Sequence, residues 1–393
     1  MKLPKNVEFI LERLESSGHR ADIVGGPVRD FLLGKSPDDY DITTSASPEE
    51  TKRVFSDLRT VDTGIKHGTV SLILDGVQYE VTTYRIDGEY KDSRHPECVT
   101  FTKEIEEDLR RRDFTMNAIA YSPRHGITDP YGGREDTANG VIRAVGEPYL
   151  RFTEDALRIL RGVRFSATLG FTVEAETKKA MLDTRRLLGN VSVERIYVEL
   201  KKMISGAYSY PVFTEFSDII SDTLPELSGL ELPDRELYGS ADYTSRLIAL
   251  FYLNSASPAA AFEAAMKRLH TDSHIRELGL KVLPLIESAD TASDVGLTRI
   301  LRIAGEESAK ELIKVRILLG LSHSDDLTRF GELLSCRVAY RISDLKIDGK
   351  RLIALGAKGK QIGEILDRLL DGVIDGVVEN TEEALTVRAR SLM

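Results

Sequence analysis

The chain has 393 residues, 41% of them hydrophobic and 30% charged, with a formal net charge of -10 at neutral pH. This apolar content excludes a long disordered or fibrous chain, and at roughly 100–200 residues per domain the length allows several domains. The acidic balance argues against a nonspecific coat on DNA, so no DNA partner is expected; RNA stays open, because phosphate binding needs only a local basic surface.

The start, MKLPKNVEFI, is charged and lacks the apolar run and cleavage site of an export signal. No later stretch approaches the ~20 apolar residues of a membrane span, so a cytoplasmic protein without a membrane partner is expected. ADIVGG (21–26) predicts a strand running into a Gly-Gly turn, and PVRDFLLG (27–34) a short helix closed by Gly34. In SPDDYDITT, Asp39 and Asp41 alternate with Tyr40 and Ile42, which on a strand projects both carboxylates from one face. Such a pair repels unless a cation lies between its members, and hard oxygen donors suit Mg²⁺. Gly25 and Gly26 let a backbone turn approach a triphosphate closely, and Arg29, one helical turn on, can neutralise phosphate oxygens. TVSLILDGVQYEVTTYR (69–85) predicts two strands joined at Asp75-Gly76. Glu80, on the second of them, stands either as a third metal-associated carboxylate or as a plain surface glutamate. DGEYKDSRHPECVTF (87–101) is polar, contains Gly and Pro, and reads as a mobile loop.

Beyond Glu147 the pattern turns helical: Leu157, Leu160, Val163 and Phe165 recur at near-helical spacing, and PAAAFEAAMKRLH (258–270) continues the period. The expected class is therefore α+β, a small mixed-sheet head followed by an all-helical remainder. The boundaries drawn are a head over 1–145, a neck over 146–205, a body over 206–335 and a tail over 336–393. Residues 341–370 of the tail hold seven Lys/Arg against four Asp/Glu, a local charge of +3 in an acidic chain. Within them, the Gly turn of Lys358-Gly359-Lys360 can bring backbone N–H groups and two lysines against a phosphate; the plain alternative is a solvated helix-turn-helix. Cys98 and Cys336 are distant, with no CxxC spacing, and the histidines form no HExxH.

Ordered motifs resemble the class II tRNA nucleotidyltransferases, the bacterial CCA-adding and poly(A) polymerase family of the polymerase-β-like superfamily. The resemblance runs through GGPVRDFLLG, DDYDITT, EVTTYR, EDLRRRDFTMNAIAY, DPYGGRED, EDALRILRGVRF and VSVERIYVEL. The tail segment DLKIDGKRLIALGAKGKQIGEIL resembles the tRNA-binding C-terminus of the CCA-adding branch, whereas roughly 206–335 carries no such motif. The resemblance implies a polymerase-β-like head, catalysis at Asp39 and Asp41 with two Mg²⁺ ions, and tRNA, CTP and ATP as partners. No obligatory protein partner is implied. It further implies that Arg112 contacts the incoming nucleotide and that Asp113 and Asn117 check the ribose; four apart, these two would share a helix face. A carboxylate and an amide suit a 2′-OH, which both donates and accepts.

EDALRILRGVRF holds Asp155 and Arg158 three apart, with Arg161 and Arg164 continuing the progression. An aspartate acceptor beside an arginine donor matches the amino group and ring acceptor shared by cytosine and adenine. Uracil and guanine would leave both partners unpaired, a cost of several kcal/mol. That matches the family's use of the motif as a protein template, with Glu154 orienting the arginine and Arg161 and Arg164 facing the triphosphate. In the family a loop at 87–101 is linked to the switch from C to A addition and is shortened in CC-only enzymes; it is kept here. An enzyme adding only A, a poly(A) polymerase and an inactive RNA-binding relic remain as alternatives. No HxHD-type hydrolase signature is present, so no added phosphatase activity is expected.

Overall fold

The computed structural model describes residues 1–37, 39–88 and 99–393. By its internal contacts the chain divides into two compact units, Met1–Leu224 and Pro225–Met393.

The first unit opens with helix α1 (Lys5–Ser16), whose Val7, Ile10, Leu11 and Leu14 are at most 2% exposed. Their i, i+3, i+4, i+7 spacing puts them on one stripe, and burying each contributes about 1.5–3 kcal/mol. They cover a seven-stranded sheet, meeting Ile23, Ile42, Val70, Leu72 and Val81. Its strands are β1 (Ala21–Val24), β2 (Ile42–Thr44), β3 (Arg59–Gly64), β4 (Thr69–Leu74), β5 (Val77–Thr83), β8 (Ala120–Ser122) and β9 (Gly126–Thr128), in the order β3-β4-β5-β2-β1-β8-β9. The intervening β6 (Arg85–Asp87) and β7 (Val99–Phe101) pair separately. Every pairing in the large sheet is antiparallel except β2 with β5, so it is mixed, as expected. β4 and β5 meet at Asp75 and Gly76, both with positive φ, the two-residue hairpin their sequence predicts.

Six short or medium helices lie between and after these strands. They are α2 (Gly26–Leu32), α3 (Pro48–Val54), α4 (Ile105–Arg110), α5 (Gly133–Asn139), α6 (Pro148–Glu154) and α7 (Leu157–Leu169). α8 (Ala175–Thr184) packs on α6, and α9 (Val193–Ser205) runs against α7. The strand content fades here, as the sequence predicts, to the two-residue pairing of 141–142 with 172–173.

The second unit is helical among its described residues. Phe251 and Phe262 meet edge-on at 5.3 Å between ring centroids, and Leu247, Leu250, Leu312 and Ile313 are buried in the same unit. A second cluster gathers Leu345, Leu352, Leu369, Leu370 and Leu385 near the C-terminus. No helix is long and apolar enough to cross a membrane among the described residues. The loop expected over 87–101 lies for the most part outside the described residues, as does Cys98.

Candidate active site

β2 begins only at Ile42, so Asp39 and Asp41 lie in the segment that enters the strand rather than on it, contrary to the sequence reading. The backbone is nonetheless anchored there, because the Val24 N–H donates to the Asp41 carbonyl at 3.1 Å. The parallel register pairs Ile42 with Val81, which sets Asp41 level with Glu80 on β5. Asp39, Tyr40, Asp41, Tyr79 and Glu80 line one cavity of about 490 Å³. Asp41 is solvent-exposed as a residue, yet it stands in a cleft wall. Desolvation of its carboxylate pushes its pKa up, Arg112 pulls it back, Asp39 adds to the rise and Arg161 opposes it. A carboxylate whose ionisation is opposed by a second carboxylate in the same cleft is what a hard divalent cation relieves, so the donor set fits one. Among the described residues no group of three or more His, Cys, Asp or Glu could hold an ion, so the pair carries the fit and Glu80 does not complete a trio.

Behind the cleft, Gly25 precedes α2 with φ of 77°, a conformation side-chain-bearing residues rarely adopt. A Cβ there would also stand 3.0 Å from Arg112 Nη1, so this glycine makes room for the arginine. Gly26, the first residue of α2, has only ordinary contacts around it. Arg112 Nη2 donates to Asp108 Oδ2 at 3.4 Å, while its buried Nε has no hydrogen-bond partner among the described residues. Asp108 is fully buried and also accepts from Arg111 Nε at 3.0 Å and the Arg85 N–H at 3.3 Å. Burial works against its charge, but Arg111 and Arg112 hold its carboxyl below the usual range.

A continuous polar chain runs from α2 to α9. Arg29 Nη1 donates to Asn117 Oδ1 at 2.8 Å, and Asn117 Nδ2 donates to Asp113 Oδ1 at 3.1 Å. Asp113 Oδ2 accepts from Arg161 Nε at 2.7 Å and forms an ion pair with its Nη2, also at 2.7 Å. Arg164 Nε donates to Glu199 Oε2 at 2.9 Å, and Glu199 Oε1 lies 3.9 Å from Arg161 Nη1. Asp113 and Asn117 do meet, though not on a helix face. α4 ends at Arg110, Phe114 bridges to Ala144, and Asn117 closes the single 3₁₀ turn Thr115–Asn117. Helical spacing found the right partners through the wrong local structure.

Asp155 and Arg158 are not brought together as a pair. Asp155 is extended (φ -140°, ψ 102°) and separates α6 from α7. Its Oδ1 accepts from the Leu157 N–H at 3.1 Å and its Oδ2 from Arg195 Nη2 at 2.9 Å. Arg158 is buried and turns away, donating to Glu154 Oε2 at 2.7 Å, the Arg151 carbonyl at 3.1 Å and the Arg111 carbonyl at 2.9 Å. An i, i+3 pairing needs an unbroken helix, and the aspartate instead supplies the acceptor that starts the next one. In the second unit, Lys358 and Lys360 are exposed and flank Gly359, with φ of 56°, between the helices Gly349–Ala354 and Gln361–Ile374.

Asp108, Arg195 and Glu199 belong to these networks and were not singled out from the sequence. The last two share VSVERIYVEL four residues apart, a spacing that puts them on one face of α9 and could have marked them.

The chain matches the poly A polymerase head domain over residues 21–143, a probable RNA and SrmB-binding site of polymerase A over 170–219, and domain 2 of tRNA nucleotidyltransferase over 242–389. It is 37% identical over 387 residues to the CCA-adding enzyme of Lactobacillus helveticus, covering 96% of this chain and 94% of that one. With that of Enterococcus faecalis it is 36% identical over 394 residues, covering 97% and 94%. Among solved structures it resembles the Bacillus stearothermophilus CCA-adding enzyme in complex with CTP, with a TM-score of 0.79, 31% identity, and coverage of 100% and 99%. The fold also matches the Thermotoga maritima CCA-adding enzyme complexed with tRNA, at a TM-score of 0.71 and 22% identity.

Proposed function

Because the chain belongs to the CCA-adding enzymes of the poly(A) polymerase family, we propose that it adds CCA to the 3′ end of tRNA from CTP and ATP without a nucleic-acid template. The single observation that carries the reading is the carboxylate cleft of Asp39 and Asp41, backed by the arginines at 112 and 161 whose charge acts on Asp41. In each cycle the tRNA 3′ oxygen bonds to the α-phosphorus, the α–β anhydride bond breaks, and pyrophosphate leaves.

Enzymes of this family use divalent metal ions, and Asp39 and Asp41 would hold Mg²⁺, two ions during turnover. Bound there, the metal would activate the 3′-hydroxyl and neutralise triphosphate charge. Glu80, level with Asp41, would tune the charge of the pair. Gly25 and Gly26 open the approach for the triphosphate, which Arg29, Arg112, Arg161 and Arg164 would neutralise, and Asp113 with Asn117 would meet the ribose. Base choice is assigned to Asp155 and Arg158, with Glu154 holding the arginine at 2.7 Å. Arg195 holds Asp155 Oδ2 and the Arg111 carbonyl holds Arg158 Nη2, contacts that would set how the two side chains face a base. The head over 1–145 would thus carry phosphate chemistry, the neck over 146–205 base choice, and the body and tail, with Lys358 and Lys360, the grip on tRNA phosphates.

The test uses a tRNA transcript ending at the discriminator base, with Mg²⁺ and each nucleotide alone and combined. Two C and then one A, with no U or G, is the expected product. Addition of A alone to a transcript ending in CC would make it an A-adding enzyme, and long A tails on any RNA a poly(A) polymerase. Asp41→Ala should abolish extension while leaving the melting temperature unchanged.

A further inference from the structure

Phe165, on α7, is 3% exposed and its ring meets Phe114 edge-on at 5.9 Å. Three guanidinium groups gather on it. Arg164 Cζ lies over the ring 3.6 Å from its centroid, Arg29 Cζ at 5.3 Å and Arg161 Cζ at 5.4 Å. All lie within the ~6 Å over which an aromatic face attracts a cation. Arg29 comes from α2 and the other two from α7, and the ring is common to all three.

Three cations this close would repel one another. Asp30, Asp113 and Glu199 supply three carboxylates against them, so the cluster is balanced in formal charge. It is not balanced in hydrogen bonds. Arg29 spends Nε, Nη1 and Nη2 on Asp30 and Asn117. Arg161 commits Nε and Nη2 to Asp113. Arg164 commits only Nε, to Glu199, and its Nη1 and Nη2 donate to no protein acceptor among the described residues. Burial also pushes the Arg164 pKa down, partly offset by Glu199, so this side chain is held where its charge lacks full compensation.

We infer that Phe165 is a positioning residue for nucleotide binding: its ring face fixes Arg164, and with it Arg161 and Arg29, so that the uncommitted guanidinium nitrogens meet the β- and γ-phosphates rather than the base. The inference rests on the nucleotidyl-transfer reading and adds to it the group that orders the arginines. A guanidinium centred this close over a ring is restricted in how its plane can tilt and turn, which limits where its N–H bonds point. An aliphatic side chain of similar bulk fills the space but does not set that plane.

The experiment measures binding of inorganic pyrophosphate and of CTP by calorimetry, and kcat and KM for CTP, in the wild type and in Phe165→Leu, Phe165→Met and Phe165→Tyr. Melting temperatures show that each variant is folded, and Met keeps the site filled should Leu lower stability too far. The two aliphatic variants should bind pyrophosphate and CTP about tenfold more weakly, the size of a desolvated cation–π contact. They should raise KM more than they lower kcat and leave the preference for C and A over U and G unchanged. Tyrosine, which keeps the ring face, should restore binding. Wild-type pyrophosphate affinity in both aliphatic variants would overturn the inference, as would a tyrosine variant as weak as leucine. Failure of the wild-type protein to bind pyrophosphate would instead strike the nucleotidyl-transfer reading itself, and the inference with it.

Discussion

Asp113 holds its proton more weakly than an ordinary aspartate, although burial alone would do the opposite. The guanidinium of Arg161, with the Asn117 amide and the Phe114 N–H, overcomes desolvation and lowers its pKa to about 2. The unfolded value is near 3.9, so the charged form is stabilised by folding. That contribution is present above the unfolded pKa and fades as pH falls through about 4 toward the folded pKa of about 2. At neutral pH it is of order 2 kcal/mol, and about half of it remains at pH 3. Asp113→Asn should therefore be less stable than the wild type at pH 7 by this order, and the gap in urea unfolding free energy should narrow between pH 5 and pH 3. A gap that stays constant over that range would show that the carboxylate's charge is not what Arg161 stabilises. The identity of these residues was legible in the sequence, because Asp39, Asp41, Asp113 and Asn117 stand in motifs. Apart from the Asp113–Asn117 pair, their partners were not. Arg161 lies 48 residues from Asp113, and Glu199 lies 35 from Arg164, and no local spacing reports a contact made across a fold.

The break between α6 and α7 shows the same limit one level up. The apolar period of Leu157, Leu160 and Val163 located α7 correctly, and the Asp75-Gly76 turn located a hairpin. A continuous helix through Asp155 was the natural extension of that period, yet this residue takes an extended conformation and its carboxylate accepts from Leu157. Aspartate prefers such a start to a helix interior, because its side chain competes for backbone donors. Removing it by Asp155→Ala should cost about 1 kcal/mol of stability, the usual worth of a helix-start acceptor. It should also relax nucleotide choice, read as UTP and GTP incorporation in primer extension. Arg195→Ala separates the two roles: the Leu157 bond stays, and only the hold on Oδ2 is lost. This variant should raise misincorporation severalfold with little loss of melting temperature. Faithful C and A addition by Arg195→Ala, beside relaxed addition by Asp155→Ala, would mean that α9 does not orient the aspartate.

On the proposed function, a net charge of -10 would have to coexist with a polyanionic tRNA, and the second unit contains an arrangement that favours this. Asp367, Asp371 and Asp375 follow one another at four-residue spacing along and just past the helix Gln361–Ile374. Arg302 pairs with the first two and Arg299 with the third, both from the helix Asp294–Ala304. Exposed pairs of this kind add little stability, but they neutralise carboxylates near a stretch where Lys346, Lys350, Lys358 and Lys360 are exposed. The sequence made the local excess of positive charge legible and left the pairing hidden, because the body residues that supply the arginines carry no motif. If Lys358 and Lys360 each meet a tRNA phosphate, each releases close to one condensed counterion. The Lys358→Ala, Lys360→Ala protein should then bind tRNA more weakly at low salt. Its plot of log affinity against log salt, between about 50 and 200 mM, should be shallower by roughly 1.5. Extension of a saturating tRNA should keep its two-C, one-A product, since the variant leaves the head untouched. A reduced affinity with an unchanged slope would point to altered shape rather than lost phosphate contacts, and an unchanged affinity and slope would remove these two lysines from the tRNA surface.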